Sequence, residues 1–410
     1  MPVKSLSRNP TASIILPIDP TLTADLNVEE VSVTESLLSP TVFASIKVHQ
    51  TLETEIYRNM DLYYAKPIII SLARPFLRNF FQKDNIGSEL VVFRISNRNR
   101  RVMYSTEEFI ISACSPSFIT DAKTWVPDHW ASKTPSEIVE NIYTNVLNIP
   151  SYEIEKSNPP IDFAGERLHP FQIISQMAER AITNDGSNDP SFIHYMTMQN
   201  SNFANILTHN FKSLRKLTEQ SPIMSFSYSF KNLTVNNYYN PFDIMSFSFP
   251  CDFDLMSDIM NGYDETGKEI FTLTTIDSYK GLGAIFKSEF NNLLSKYSLS
   301  RFSTPTNLTT ASMLNSNPTN VENYLLKRKA RMSLLNQDKI ALKMTVPFNP
   351  MLSVGKVISV TFKQKPDLTM PALYGSGNYL IVNMTHVVRP RGLAVTNLDC
   401  VAKTVGIGIQ

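Results

Sequence analysis

The stretch Lys339–Phe362, KIALKMTVPFNPMLSVGKVISVTF, decides how this chain is read. Apolar Ile340, Leu342, Met344 and Val346 alternate with Ala341, Lys343 and Thr345, the period of two that arises when successive side chains point to opposite faces of a sheet. A Pro-Phe-Asn-Pro turn follows, its prolines placed where no ladder donor is needed, and Gly355 opens a second alternating run through Ile358, Val360 and Phe362. Two strands of a barrel wall are expected here, with no side chains equipped for catalysis.

Working outward, the same alphabet recurs. Val42, Ala44, Ile46 and Val48 alternate with Phe43, Ser45, Lys47 and His49, and Ile68–Leu72 reads as a short buried run. Glu89–Ile95 and Arg101–Tyr104 are expected to form a hairpin around the turn-like Asn97-Arg98-Asn99-Arg100, with Phe109–Ala113 continuing the sheet. Near Pro116 the period changes. Thr134-Pro135-Ser136-Glu137 is a capping box, followed by the helical stripe Ile138, Val139, Ile142, Tyr143, Val146 and Leu147. A second helix starts at Pro170 with Phe171, Ile174, Met177, Ala178 and Ala181 on its apolar face, and the polar stretch Asn184–Pro190 is expected to end it. A strand over Phe192–Met198 and a helical turn around Phe211, Leu214 and Leu217 follow. Strands return in IMSFSYSF at 223–230 and in IMSFSFP at 244–250, either a small duplication or two amphipathic strands written in one alphabet. Glu269–Ile276 reads as a strand, residues 292–317 as a long connection, and Val321, Tyr324, Leu325, Met332 and Leu335 as one helix.

With 410 residues the chain has room for two to four domains. Its charged share is 18%, below the roughly 25% of soluble domains, and Ser, Thr and Asn fill the difference. This is either ordinary variation or the mark of a protein whose faces lie against neighbours, where unpaired charge is costly. A net charge of +1 gives no whole-chain footprint for nucleic acid or anionic membrane. Cys114, Cys251 and Cys400 are scattered and odd in number, which argues against a disulfide framework or zinc site and for a reducing compartment. The opening MPVKSLSRNP lacks a secretory apolar core and no apolar run reaches the roughly 18 residues of a membrane span, so folding in a cytoplasm is expected.

Candidate chemistry is sparse. None of the six histidines has a partner histidine at helical metal-site spacing, so no metal is expected. His194 and His209 could meet Asp189 as a base with its orienting acid, but no nucleophile sits in a recognisable elbow. Gly281-Leu282-Gly283 reads as a hinge, not a phosphate loop. Two basic clusters stand out, Arg98, Arg100 and Arg101 on the expected hairpin tip and Lys327, Arg328, Lys329 and Arg331 on the 320–335 helix. Phosphate contact is one reading of each; without interleaved aromatics, a solvated or intersubunit face is the commoner explanation.

The order of elements resembles the baseplate hub protein of contractile-tailed, T-even-like bacteriophages and, more remotely, the amino-terminal half of type VI secretion spike proteins. Four stretches carry the resemblance: VTESLLSPTVFASIKVHQ at 33–50; LHPFQIISQMAERA at 168–181 with the following FIHYMTMQ and NFKSLRKL; the Lys339–Phe362 pair; and GSGNYLIVNMTHVVRPRGLAVTNLDCV at 375–401. It spans about residues 12–403 and is one of order and spacing. It departs at Tyr195-Met196-Thr197-Met198, where relatives often place a paired aromatic and an acidic residue, and at Phe348-Asn349, where glycine is common.

The resemblance implies an α+β, mainly β fold with two tail-tube-like antiparallel β-barrels and an α/β insertion. The first barrel would occupy 12–118, the second 223–250 plus 336–403 and the insertion 119–222 plus 251–335, leaving 1–11 and 404–410 as flexible tails. Three copies would form a ring of six quasi-equivalent barrels that adapts a threefold central spike to a sixfold tail tube. Implied partners are the homotrimer itself, the central spike protein, a tail tube or tube-initiator protein, baseplate wedge proteins and the tape measure, with DNA passing through the lumen without specific binding. The place would be the virion baseplate, assembled in the host bacterial cytoplasm. Phe43, Ser45, Lys47, His49, Lys343 and Thr345 become candidates for subunit interface or lumen; no catalysis and no cofactor are expected. The rival classes are a tail-associated cell-wall hydrolase, which needs a carboxylate pair not visible here, and a receptor-binding or adhesion module.

Overall fold

A computed structural model describes residues 11–15, 27–51, 67–74, 77, 81, 83–101, 106–185, 191–228, 240–249, 341–362, 375–390 and 392–402. Outside these lie Ile340, Asp189, Cys251, the Gly281-Leu282-Gly283 hinge, the 269–276 strand, the 292–317 connection, the basic helix over 320–335 and residues 1–10 and 403–410.

Six strands open the chain: β1 (Thr11–Ile15), β2 (Asn27–Ser36), β3 (Phe43–Thr51), β4 (Pro67–Ala73), β5 (Asn85–Arg101) and β6 (Thr106–Cys114). They pair antiparallel in the order β1-β4-β5-β6-β3-β2. The alternation read on β3 holds, with Val42, Ala44, Ile46 and Val48 buried and Phe43 and Ser45 exposed. β4 differs from the expected buried run: Ile68, Ile70 and Leu72 are buried, but Ile69 and Ser71 are only half-buried, so the strand is one-sided. The larger correction concerns Asn97-Arg98-Asn99-Arg100. These residues do not turn the chain; they continue a 17-residue strand through a bulge, with a register shift between Ser96 and Asn99 against β6. Asn97 takes φ 53°, a left-handed conformation asparagine tolerates well, so a turn-like composition here serves a strand distortion.

The insertion holds α1 (Pro116–Lys123), β7 (His129–Lys133), α2 (Pro135–Asn141), β8 (Tyr152–Ile154), β9 (Ser157–Asn158), β10 (Ile161–Ala164), α3 (Pro170–Arg180), β11 (Ile182–Thr183), β12 (Phe192–Gln199), β13 (Asn205–Ser213) and α4 (Leu214–Thr218). Thr134 and Glu137 form the anticipated reciprocal capping box, and the last turn of the α2 stripe widens into a π-helix over Ile142–Val146. Three details differ from the sequence reading. The helix α1 was not anticipated, α3 ends at Arg180 before the polar stretch begins, and Phe211 lies on β13, not on a helical turn.

The remaining strands are β14 (Ser225–Tyr228), β15 (Ser246–Ser248), β16 (Ala341–Pro347), β17 (Val357–Phe362), β18 (Gly377–Val388) and β19 (Ala394–Ala402). They run β18-β19-β16-β15, with β17 and then β14 beside the first residues of β18. The β14–β17 pairing is parallel, an exception to the antiparallel pairing expected of the second half, and β8–β13 within the insertion is parallel as well. The two sheet halves join where β2 pairs with β18, from Ser36↔Asn383 to Val31↔Val388, giving one twelve-stranded sheet among the described residues, ten strands of which form a continuous ladder from β1 to β15.

Each half keeps its own apolar core. Val31, Ile46, Ile70, Leu90 and Ile111 centre the first, and Leu342, Val346, Val360, Leu380 and Leu398 the second. The insertion has a third, around Ile138, Tyr143, Ile174 and Met177. β12 reaches all three: Phe192 enters the insertion core, Ile193 and Tyr195 the second-half core, and Met196 and Met198 the first-half core. Largely buried on both faces, FIHYMTMQ has no reason to alternate, which explains its lack of a charged outward phase.

Candidate functional site

Strand register places all six candidate residues on one face of the sheet. Directly paired residues share a face. Phe43 pairs with Thr34, Thr34 with Thr385, Thr385 with Asn397, Asn397 with Thr345 and Thr345 with Ser246. A neighbouring row runs Ser36, Asn383, Asp399, Lys343 and Ser248, and a third starts from Ser112, Ser45 and Ser32. These rows cross from one sheet half into the other without interruption. Short side chains knit them together: Thr34 and Thr385 hydroxyls lie 3.1 Å apart, Ser36 donates to Asn383 Oδ1 at 2.6 Å and Thr345 donates to Asn397 Oδ1 at 2.9 Å. Lys47 is paired with Glu29 at 2.8 Å, which raises the lysine and lowers the carboxylate from their usual ranges. Phe43 is 38% exposed and packs edge-on against Phe93, itself 47% exposed, and against Phe118.

The opposite face holds a polar junction that the sequence reading missed. Glu35 projects from β2 into the interior, 1% exposed, where Oε1 accepts from the Met198 N–H at 2.9 Å and Oε2 from the Val354 N–H at 3.2 Å. Beside it Lys83 Nζ donates to Gln199 Oε1 at 2.9 Å and to the Phe203 carbonyl at 2.8 Å, and Gln199 Nε2 donates to the Leu352 carbonyl at 2.9 Å. Both chains of bonds join the first half, the insertion and the second half. Burial pushes Glu35 up to about 7, opposed by its two backbone donors and Lys83, and pushes Lys83 down to about 8. Gly355 completes the packing: at φ 77°, a Cβ there would lie 2.9 Å from the Tyr195 hydroxyl. A sequence signal for Glu35 did exist, since Val31, Val33, Glu35 and Leu37 share the buried phase of the strand.

His194 and His209 do meet, but on facing strands and through each other. His194 Nε2 and His209 Nδ1 lie 3.1 Å apart, and His209 Nε2 lies 2.9 Å from the Ser117 hydroxyl at the start of α1. Burial lowers His194 to about 3; burial and then its neighbour lower His209 well below the usual range. Both rings are therefore neutral, packed against Tyr143 and Phe171. The hydroxyl chain continues from Ser117 to Ser115 and from Ser115 to Thr41, tying the insertion to the first sheet half. Among the described residues, no group of three or more His, Cys, Asp or Glu side chains is placed to hold a metal ion, and no helix is long and apolar enough to cross a membrane. Of the first basic cluster, Arg98 bonds through Nε to the buried Glu107 of β6.

Two cored sheet halves on one ladder, with an insertion between them, form a fold that a solved tail protein shares. The chain superposes on the tail protein from Neisseria meningitidis MC58 with a TM-score of 0.52 at 10% identity, covering 95% of this chain and 96% of that one. It is also similar to the 43 kDa tail protein of prophage MuSo2 from Shewanella oneidensis, with TM-score 0.49, 8% identity and coverage of 94% and 96%. A third similar structure is the E. coli c3393 protein, described as a component of the type VI secretion system with structural similarity to the T4 bacteriophage tail proteins gp27 and gp5 (TM-score 0.47, 10% identity, coverage 94% and 76%). No protein-family model and no curated protein matches the chain.

Proposed function

We propose that this chain is a structural hub of a contractile phage-tail baseplate, a homotrimeric adaptor joining a central spike to a sixfold tail tube. The observation that carries the reading is the single ladder through β2 and β18, which holds two separately cored halves side by side and lays one polar face across both. Three such chains present six sheet units around an axis, the arithmetic an adaptor between threefold and sixfold symmetry requires. The end-to-end likeness to a tail protein supports this architecture. In this reading the rows around Ser45, Lys343 and Thr345 face the lumen, where hydroxyls and amides predominate and Lys343 lies opposite Asp399, so that DNA passes without a binding site. Phe43, Lys47 and His49 lie on the same face as Ser45 and line the lumen with it. Spike, tube or tube-initiator, wedge and tape-measure proteins are the partners, in a virion assembled in the host cytoplasm.

The role is non-catalytic. The imidazole nitrogens at the His194–His209 contact and on its Ser117 side are engaged in structural bonds. Native mass measurement and particle imaging test the proposal: a trimer enclosing a pore is expected, while a monodisperse monomer that binds neither spike nor tube protein overturns it. Clearing of bacterial cell walls, abolished by one carboxylate substitution, would replace it with a hydrolase.

A further inference from the structure

Three side chains of the interior junction together supply the reactants and the proton carrier for one covalent bond. Lys83 Nζ lies 2.9 Å from Gln199 Oε1, and its second contact, 2.8 Å to the Phe203 carbonyl, pins the amine against that carboxamide. Gln199 is only 2% exposed and is fixed at its other end, where Nε2 donates to the Leu352 carbonyl at 2.9 Å. Glu35 is anchored along the same two segments: its carboxylate accepts from the N–H of Met198, the neighbour of Gln199, and from that of Val354, two residues past Leu352. In water a lysine is protonated and does not react with an amide. Here burial pushes Lys83 down to about 8 and Glu35 up to about 7, so the neutral amine and the protonated carboxyl are both accessible near neutrality.

We infer that Lys83 and Gln199 join in an intramolecular isopeptide bond, with Glu35 carrying the proton. The neutral amine attacks Gln199 Cδ, forming the Nζ–Cδ bond as the carbonyl pair moves onto Oε1. When that pair returns, the Cδ–Nε2 bond breaks. Glu35 gives its proton to the departing nitrogen and takes one from Nζ, so ammonia leaves, the carboxyl is restored, and no oxidant or further reactant is consumed. The reaction runs once per chain and is not turnover. Its product ties the segment between β4 and β5 to the end of β12 across 116 positions of sequence, so the first sheet half and the insertion stay joined even where the surrounding hydrogen bonds open.

Intact mass spectrometry on the full chain, purified and denatured, reads the bond. The native chain should weigh one ammonia less than its sequence, and proteolysis should release a branched peptide containing both Lys83 and Gln199. Lys83→Arg keeps the charge and the donors but offers no nucleophilic amine, and should restore the full sequence mass. Glu35→Gln should do the same while the chain stays folded by circular dichroism, and Glu35→Asp, which restores a carboxyl, should recover part of the linked species. A native chain at full sequence mass, or an ammonia deficit that persists in Lys83→Arg, overturns the inference; linkage undiminished in Glu35→Gln overturns the assignment of the proton carrier. Should the variants fail to fold, the native digest decides: the branched peptide supports the bond, and separate, unmodified Lys83 and Gln199 peptides overturn it.

Discussion

Glu35 and Ser36 are adjacent on β2 and face opposite ways. On the inner side Glu35, Lys83 and Gln199 have designated partners in other parts of the chain; on the outer side hydroxyls and amides form a ladder of interchangeable neighbours. The difference is one of solvent. An inner donor that loses its acceptor has no water to turn to, so it keeps the full desolvation penalty, whereas an outer one is rehydrated. Specific geometry is thus fixed from within, leaving the outer face free to vary for whatever it touches.

Substitutions can break or sharpen this contrast. Glu35→Ala strands two buried N–H groups and should lower unfolding free energy by about 3–5 kcal/mol in urea titrations. A loss under about 1 kcal/mol would mean the junction is wet. Acid–base behaviour is the next largest effect. Because folding raises Glu35 from 4.5 to about 7, its contribution to stability is complete below about 4.5 and is lost as pH rises through about 7, a swing of roughly 3 kcal/mol. A stability profile that rises over that interval in the native chain but not in Glu35→Gln would contradict this sign. Gly355→Ala introduces a Cβ at a left-handed φ against the Tyr195 hydroxyl and should cost about 1–3 kcal/mol, read as a lowered thermal midpoint. At the small end, the double substitution Thr34→Val with Thr385→Val removes both members of an outer pair and should change stability by no more than about 0.5 kcal/mol. If it matched Glu35→Ala, the two faces would not differ as described.

Much of the sheet was legible because one-sided strands announce themselves. Leu342, Met344 and Val346 are buried and Lys343 is exposed, as alternation demands. The α2 capping box was equally local and equally clear. What escaped were features whose cause lies elsewhere in space. Asn97 reads as a turn until β6 is present to accept a bulge, and Phe211 sits in a strand because β8 and β12 flank it on either side. Parallel pairing of β14 with β17 is fixed by how the chain returns, not by the four residues SFSY. For the site, the outward phase gave the six face residues, and register then showed that they belong to connected rows. The junction stayed hidden since an acidic residue in a buried phase is recognisable only by comparing it with Val31, Val33 and Leu37, and its partners Met198 and Val354 lie 163 and 319 residues away.

The seam between β2 and β18 also sets a timetable. Ser36 and its partner Asn383 are separated by 347 positions, so a ribosome adding about 5–20 residues per second leaves the open edge of β2 waiting on the order of tens of seconds for its mate. Throughout that interval the nascent amino-terminal half offers unpaired backbone to any passing strand, and sister chains emerging on the same message are the nearest candidates. Productive synthesis should consequently depend on slow crowding or on a helper that shields this edge until the last strands arrive.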